Sequence, residues 1–483
     1  MHRQHHLVRA SLSIGPILIA TALVAGCLSS DDPAQPDAGS GLDAGTTAHD
    51  GSLANGDDGS PSGDDATTPL DGTASTDGNP SADGSTLTPL ASCDTPIEID
   101  SANVVASDVS AVTLGGGKYA VFWGENPASG SPSRKARVFD GTTFAAEQTV
   151  LATSAPVTRD SADGLGNAYE LWTSGRAVLD HTTGMFGAVD GTFAVIPLSP
   201  FSMAITGLRV GGAFTLYTTS GNIWTTRYDP SGGTWSTADL RESGGFNTPN
   251  IATNGSGKVV AAWLGSIANG VSALSIATFD GTTWSAVTHS TIGSGTIGQG
   301  PDTFGLVEYA NGDALIAYVD VNAGAHVLKA QRYRTATATW DAVQTVDANA
   351  AVNLPQLFMD DSDRATIVYL YSTGQNEAYA TRDLGSGWSA PVDLGPRPGV
   401  NAALDPSGNV VVVVDVSASG LPAVRRCAAG GTTWDPPVSL GFATAVADTS
   451  GVPMIAFDGA GHPVIVAFDT IDAGRAARVA VCR

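Results

Sequence analysis

The sequence predicts an all-β protein in which one four-stranded unit is repeated and closed into a ring. Three observations carry that prediction. A strand–turn–aromatic segment recurs along the chain, each unit holds a run that is apolar on both faces, and the two ends of the repeat region complement one another.

The recurring segment is clearest at residues 275–285, SIATFDGTTWS. Versions stand at residues 136–145, 226–236, 330–341, 381–389 and 425–435, each a strand, a turn rich in Gly, Thr and Asp, and an aromatic. The aromatic markers are Phe144, Phe186, Trp235, Trp284, Trp340, Trp388 and Trp434, spaced by 42, 49, 49, 56, 48 and 46 residues. A period in this range marks solenoids, propellers or arrays. The second strand of each unit is apolar throughout, as at residues 315–319, 367–370 and 410–414. Such a run belongs to a strand covered on both sides. The fourth strand tolerates Pro391, Pro436 and Pro437. Proline cannot donate to a ladder, so this is the outer edge strand.

The final unit, residues 442–483, supplies three strands and stops. The missing fourth should read like WSAPVDL or WDPPVSL, and residues 93–100, CDTPIEID, have that pattern. A ring sealed by a strand from the other end resembles the usual closure of β-propellers. The fold expected is therefore a β-propeller of four-stranded blades over residues 93–483. It has eight blades, or seven if Phe186 is not a true marker. Cys93 and Cys482 fall beside one another in that closure and are expected to form a disulfide, which leaves Cys427 as a buried odd thiol.

Ahead of the repeats, residues 1–26 read as an export signal: Arg3 and Arg9, a short apolar stretch, then Leu23-Val24-Ala25-Gly26-Cys27. Small residues before Cys27 resemble the bacterial lipobox. The resemblance implies a lipoprotein in which Cys27 carries diacylglycerol and an N-acyl chain such as palmitate. It also implies an exported protein anchored to the bacterial outer membrane or cell surface, with the periplasmic side as the alternative. Residues 27–92 follow as a tether: residues 28–92 hold 12 Asp, no Lys, Arg or Glu, and no aromatic. Such a segment buries too little apolar surface to fold and spans roughly 45 Å as a coil.

The chain carries 23 basic and 47 acidic side chains, a net charge of −24, which argues against nucleic acid as a partner. The turns joining first to second and third to fourth strands are short and alike, and share one face of the ring. The remaining loops (residues 124–133, 265–272, 291–303, 320–325, 372–377 and 469–474) differ in length and chemistry and share the other face. Binding groups usually sit on such loops.

Near the ends of second strands, toward that variable face, stand Trp123, Trp172, Trp263, Tyr318 and Tyr369, followed by Glu125, Asp320, Tyr371, Asp415 and Asp469. One reading makes them a mouth of aromatic faces and carboxylates for a glycan or a basic peptide. The other makes the aromatics filler between blades and the acids solvated loop starts. Residues 359–364 space three Asp like a calcium loop but lack its Gly and Glu, so a turn is expected. The Asp-Gly-Thr-Thr-Trp turns resemble the Asp-box of sialidase-like propellers, which is structural there too. Arg137, Arg227, Arg332, Arg382, Arg425 and Arg478 share one register and read as scaffold. His181, His289, His326 and His462 form no ligand pair, and no phosphate loop or nucleophile elbow is present. No catalytic residue, cofactor or metal is expected. The function expected is a monomeric, non-catalytic glycan- or envelope-protein-binding module. A glycoside hydrolase or lyase and a passive surface protein are the alternatives.

Overall fold

The structure, a computed structural model, describes residues 88–483 except 101–103, 128–130, 153–157, 173–174, 191–202, 245, 255–256, 268–270, 292–295, 298–303, 323, 350, 373–376, 397–400, 416–420, 443–452 and 472–473. The expectations for the signal, Cys27 and the tether up to residue 87 fall outside this set.

The described residues form eight antiparallel sheets, one per blade. The first runs Val104–Gly115, Lys118–Pro127, Ser133–Phe139, Gln148–Leu151 from the inside outward. In the third and fifth blades the outer strand is broken in two, at Thr234–Trp235 and Asp239–Glu242, and at Thr339–Trp340 and Gln344–Asp347. Phe186 is a true marker: Met185–Phe186 pairs with Gly175–Asp180 as the outer strand of the second blade, so the count is eight.

The second strands are covered on both sides. Ala213–Thr219 and Ala365–Tyr371 are buried at every position. Apolar burial is divided among eight clusters, one in the wedge between each pair of neighbouring blades. The marker aromatics feed these wedges. Phe186 packs on Phe122, Trp235 on Tyr169 and Trp284 on Phe214, in each case a second-strand residue of the preceding blade. This is why an aromatic after the turn recurs at blade spacing.

Closure follows the expected register. Ile97 pairs with Val479 and Glu98 with Arg478. Cys93 is disulfide-bonded to Cys482 across a sequence separation of 389. Arg483 N donates to Ser92 O at 2.8 Å and Ile99 N to Ala477 O at 3.0 Å, extending the ladder at both ends. Upstream of Cys93, Leu90 is buried among Val411, Phe457 and Cys482, and Arg426 donates to Thr88 O. Cys427 is buried, and burial pushes its thiol up to about 11.

Inner strands touch their neighbours all the way round, including Met454–Phe457 of the last blade against Val104–Gly115 of the first. Side chains stitch them: Gly207 N donates to Ser161 Oγ at 2.8 Å, Ala402 N to Gln356 Oε1 at 2.9 Å and Phe457 N to Thr113 Oγ1 at 2.9 Å. A Cβ on Gly207 would lie 2.0 Å from Ala162 O, so only glycine lets these two strands approach.

First-to-second and third-to-fourth turns share one face, as expected. His181 N donates to Asn167 Oδ1, Thr335 N to Asp313 Oδ1 and Ala429 N to Asn409 Oδ1, joining the two turns of a blade. An aspartate organises four of the first-to-second turns, those of blades two, six, seven and eight. Asp405 Oδ1 accepts from Ser407 N and Asn409 N, and Asp458 Oδ1 from Ala460 N and His462 N. The calcium-like stretch is the same turn in the sixth blade. Asp360 Oδ1 accepts from Ser362 N and Arg364 N, its other oxygen meets the Arg382 guanidinium, and Asp363 takes the left-handed position with φ 56°.

Candidate functional site

The residues singled out at the ends of second strands are where the chain order places them, but their rings do not form a mouth. Trp123, Trp172, Trp263, Tyr318, Tyr369 and Tyr371 are all buried, so none offers a ring face to solvent. Filling the wedges excludes more water than lining a rim, and the wide end of each wedge needs the largest side chains. Of the two readings of these aromatics, filler between blades is the one that burial supports, and they do not line a mouth.

Their polar edges are tied down by acids at the ends of outer strands. Trp263 Nε1 donates to Glu242 Oε2 at 2.7 Å, and Tyr369 Oη to Asp347 Oδ2 at 2.7 Å, with Tyr371 Oη on the same oxygen. Glu242 and Asp347 belong to the preceding blade in each case, which no reading of a single unit reveals.

The expected carboxylates are engaged as well. Glu125 accepts from Trp123 Nε1 at 3.1 Å and lies 3.8 Å from Lys135 Nζ. Asp320 pairs with Lys329, and Asp469 lies 3.4 Å from Arg478 Nη1. All three are buried rather than solvated. Asp415 pairs in register with Pro422, and its side chain is outside the described set. Much of the variable-loop face lies outside that set too, including most of residues 291–303.

A buried ionic cluster joins blades one and two. Arg134 Nε donates to Glu170 Oε1 at 2.5 Å and Arg134 Nη2 to Ser110 Oγ at 3.0 Å. Asp160 stands opposite Glu170 in the ladder. Burial pushes both carboxyls up, with Arg134 pulling the other way. Two carboxyls facing one guanidinium favour retention of a proton between them. Glu170 and Arg134 are buried and line neither of the two cavities described below, so the cluster reads as an interblade lock.

Among the described residues, the wedge between blades two and three holds the smallest apolar cluster, beside the buried Tyr169, which packs on Tyr228 and Trp235. Its cluster has three buried members, Leu171, Met203 and Tyr217, where the other wedges have ten or more. Two local causes are visible. The outer strand of blade two shrinks to Met185–Phe186 plus the bridge Arg176–Asp190. Polar groups also enter the wedge: Arg176 Nη1 donates to Thr226 Oγ1 at 2.9 Å, and Thr226 Oγ1 lies 2.7 Å from Thr215 Oγ1.

The result is a groove of 630 Å³ between the two blades, walled by Met185, Phe186, Tyr228 and Trp235, with Arg176 and Asp190 among its polar groups. The Arg176 guanidinium lies 4.0 Å from the Trp235 ring centroid and bonds Asp190 Oδ2 through Nε at 2.9 Å. Burial lowers the Arg176 pKa and raises that of Tyr228. Met185 is 56% exposed at the rim. None of these residues was singled out as a site from sequence. The sequence feature that sets blade two apart is the 42-residue spacing before Phe186, the shortest in the chain.

Neither a protein-family profile nor any curated protein matches the chain. Among solved structures it is similar to the Dos1 propeller, with 11% identity over 80% of this chain and 94% of that one and a TM-score of 0.50. It is also similar to the polysaccharide lyase Uly1, with 10% identity over 71% and 93% and a TM-score of 0.44. A third likeness is to the Aleuria aurantia lectin AAL, with 14% identity over 69% and 96% and a TM-score of 0.35. The propeller fold is what these likenesses share with the chain, and at such identities they carry nothing about its chemistry.

Proposed function

We propose that this propeller is a non-catalytic recognition module that binds carbohydrate in the groove between blades two and three. The observation that carries the reading is the juxtaposition of Phe186, Tyr228 and Trp235 with the Arg176–Asp190 pair in one open groove. A sugar presents apolar C–H faces and a rim of hydroxyls. Rings take the first, and a guanidinium beside a carboxylate supplies donors and acceptors for the second. Burial of Arg176 and its bond to the half-buried Asp190 fix the pair's geometry before a ligand arrives, which lowers the ordering cost of binding.

A glycan array probed with residues 28–483 tests the proposal, with Trp235→Ala and Asp190→Asn as controls. Binding to a defined glycan class, weakened about tenfold or more by either change, is the expected result. No binding to any glycan would sink the proposal, and turnover of a bound glycan would favour the hydrolase or lyase alternative.

We further propose that Cys27 is lipidated and that the tether holds the propeller off the outer membrane. The basis is the lipobox-like Leu23-Val24-Ala25-Gly26-Cys27 and the Asp-rich composition after it. Cys27→Ala should move the protein from the membrane to the soluble fraction and abolish the acyl mass on its N-terminal peptide. A membrane-bound Cys27→Ala protein would refute the anchor.

A further inference from the structure

The turn face carries a second concavity of a different chemical kind. It has a volume of 350 Å³ and opens where the inner strands of blades four to seven end. Val307, Leu357, Met359 and Leu404 supply apolar wall, and Glu308 and Asp361 stand among its polar groups.

The carboxylates around it are not equally committed. Asp360 is fully used by its own turn and Arg382. Asp363 Oδ1 accepts from Ala310 N at 2.9 Å. Glu308 is buried, and its Oε2 accepts from Asn254 N at 3.0 Å. No described residue donates to its Oε1. Asp361 is exposed, and no described residue pairs with it. Lys258 is the cation that acts on Glu308, and the two form no ion pair.

We infer that this concavity binds an organic cation with an apolar stem, an ammonium or guanidinium of the lysine or arginine type, with Glu308 and Asp361 as counter-ions. Glu308 lines the concavity with an oxygen that takes no donor from the described residues, and a carboxylate so placed gains most from a charged N–H partner. The apolar wall suits a methylene stem, as along snorkelling lysines. A metal ion fits less well: among the described residues no three His, Cys, Asp or Glu side chains converge. The acidic balance of the whole chain, −24, draws cations toward the mouth.

Proton linkage gives the site a signature. Burial pushes Glu308 up to about 7, against the opposing pull of its bond from Asn254 N and of Lys258. A bound cation stabilises the charged carboxylate, so binding should release a proton and strengthen from pH 6 to pH 8. The other charged groups on the elements packed here are Asp360, Asp361, Asp363 and Arg364 of blade six, with Arg382 held on Asp360.

The test is calorimetric titration of residues 28–483 with n-hexylammonium, arginine methyl ester and an Ala-Lys-Ala peptide. Hexanol, ammonium and calcium chloride separate stem from charge and organic cation from metal. Hexylammonium is expected to bind at least about tenfold more tightly than hexanol or ammonium, and Glu308→Gln to weaken it about tenfold. Asp361→Asn, on the surface, should weaken it several-fold with an unchanged melting temperature, which guards against a folding defect in the buried variant. Binding of the peptide as well would assign the site to a partner's side chain. Unchanged binding in both variants, or displacement of hexylammonium by calcium at equal concentration, would overturn the inference.

Discussion

Breaking the Cys93–Cys482 bond is the perturbation whose size can be worked most directly from the structure. The bond closes a loop of 389 residues and leaves the seal otherwise to a short ladder, Ile97 on Val479 and Glu98 on Arg478 with flanking backbone bonds. In the chain-entropy treatment, a loop of that length costs the unfolded state about 20 cal/mol/K, or ~6 kcal/mol at 25 °C. A domain of this size unfolds with an entropy of about 0.8 kcal/mol/K, so the melting temperature should fall by ~7 °C. Scanning calorimetry of Cys93→Ser/Cys482→Ser measures it, and reduction of the wild-type protein should reproduce the shift. Deleting residues 88–99 should cost much more, because it also unseats Leu90 and Ile99 and bares the edge of the last blade. A double serine variant melting within about 2 °C of wild type would refute the reasoning. It would mean that the unfolded chain is not entropically restrained by its ends.

Three further outcomes follow from named contacts. Gly207→Ala should destabilise by ~3 kcal/mol or prevent folding, read by chemical denaturation, because its Cβ meets Ala162 backbone at 2.0 Å and neither strand can yield. Arg134→Ala should cost ~3–5 kcal/mol in the same assay, since it strands Glu170 and Asp160 in the blade one–two wedge, whereas Arg137→Ala nearby should be mild. Stability should rise as pH falls from about 6.5 to 4. Asp100 is pushed by burial from 3.8 up to about 6, so the folded state binds the proton more tightly and the penalty grows as pH climbs through that window. Melting curves against pH should flatten in Asp100→Asn, by up to ~3 kcal/mol at neutral pH; an unchanged slope would contradict the assignment.

Much of the fold was legible because its determinants are local and repeated. A strand buried on both faces needs an uninterrupted apolar run, and an outer strand can keep proline. Many of the turns place Asp and Gly at set positions, so the repeats print similar lines in the chain. The closure was legible for the same reason: CDTPIEID looks like an outer strand wherever it sits. The site was much less so. Trp123, Trp172 and Trp263 read equally well as ring faces or as filler until burial is known. The acids that hold their partners, Glu242 and Asp347, lie on neighbouring units.

The amino-acid order by itself determined strand identity, the closure of the ring and which turns share a face, since each depends on contacts within one unit or between the two ends, whereas the choice of eight blades over seven waited on the pairing of Met185–Phe186. Only the assembled ring decided where space is left over. The groove at Trp235 exists because a shortened strand in one blade meets buried hydroxyls in the next, and the cavity at Glu308 because four inner strands end around it. Both depend on packing between residues far apart in the chain, and a groove left between blades has no pattern in any single repeat.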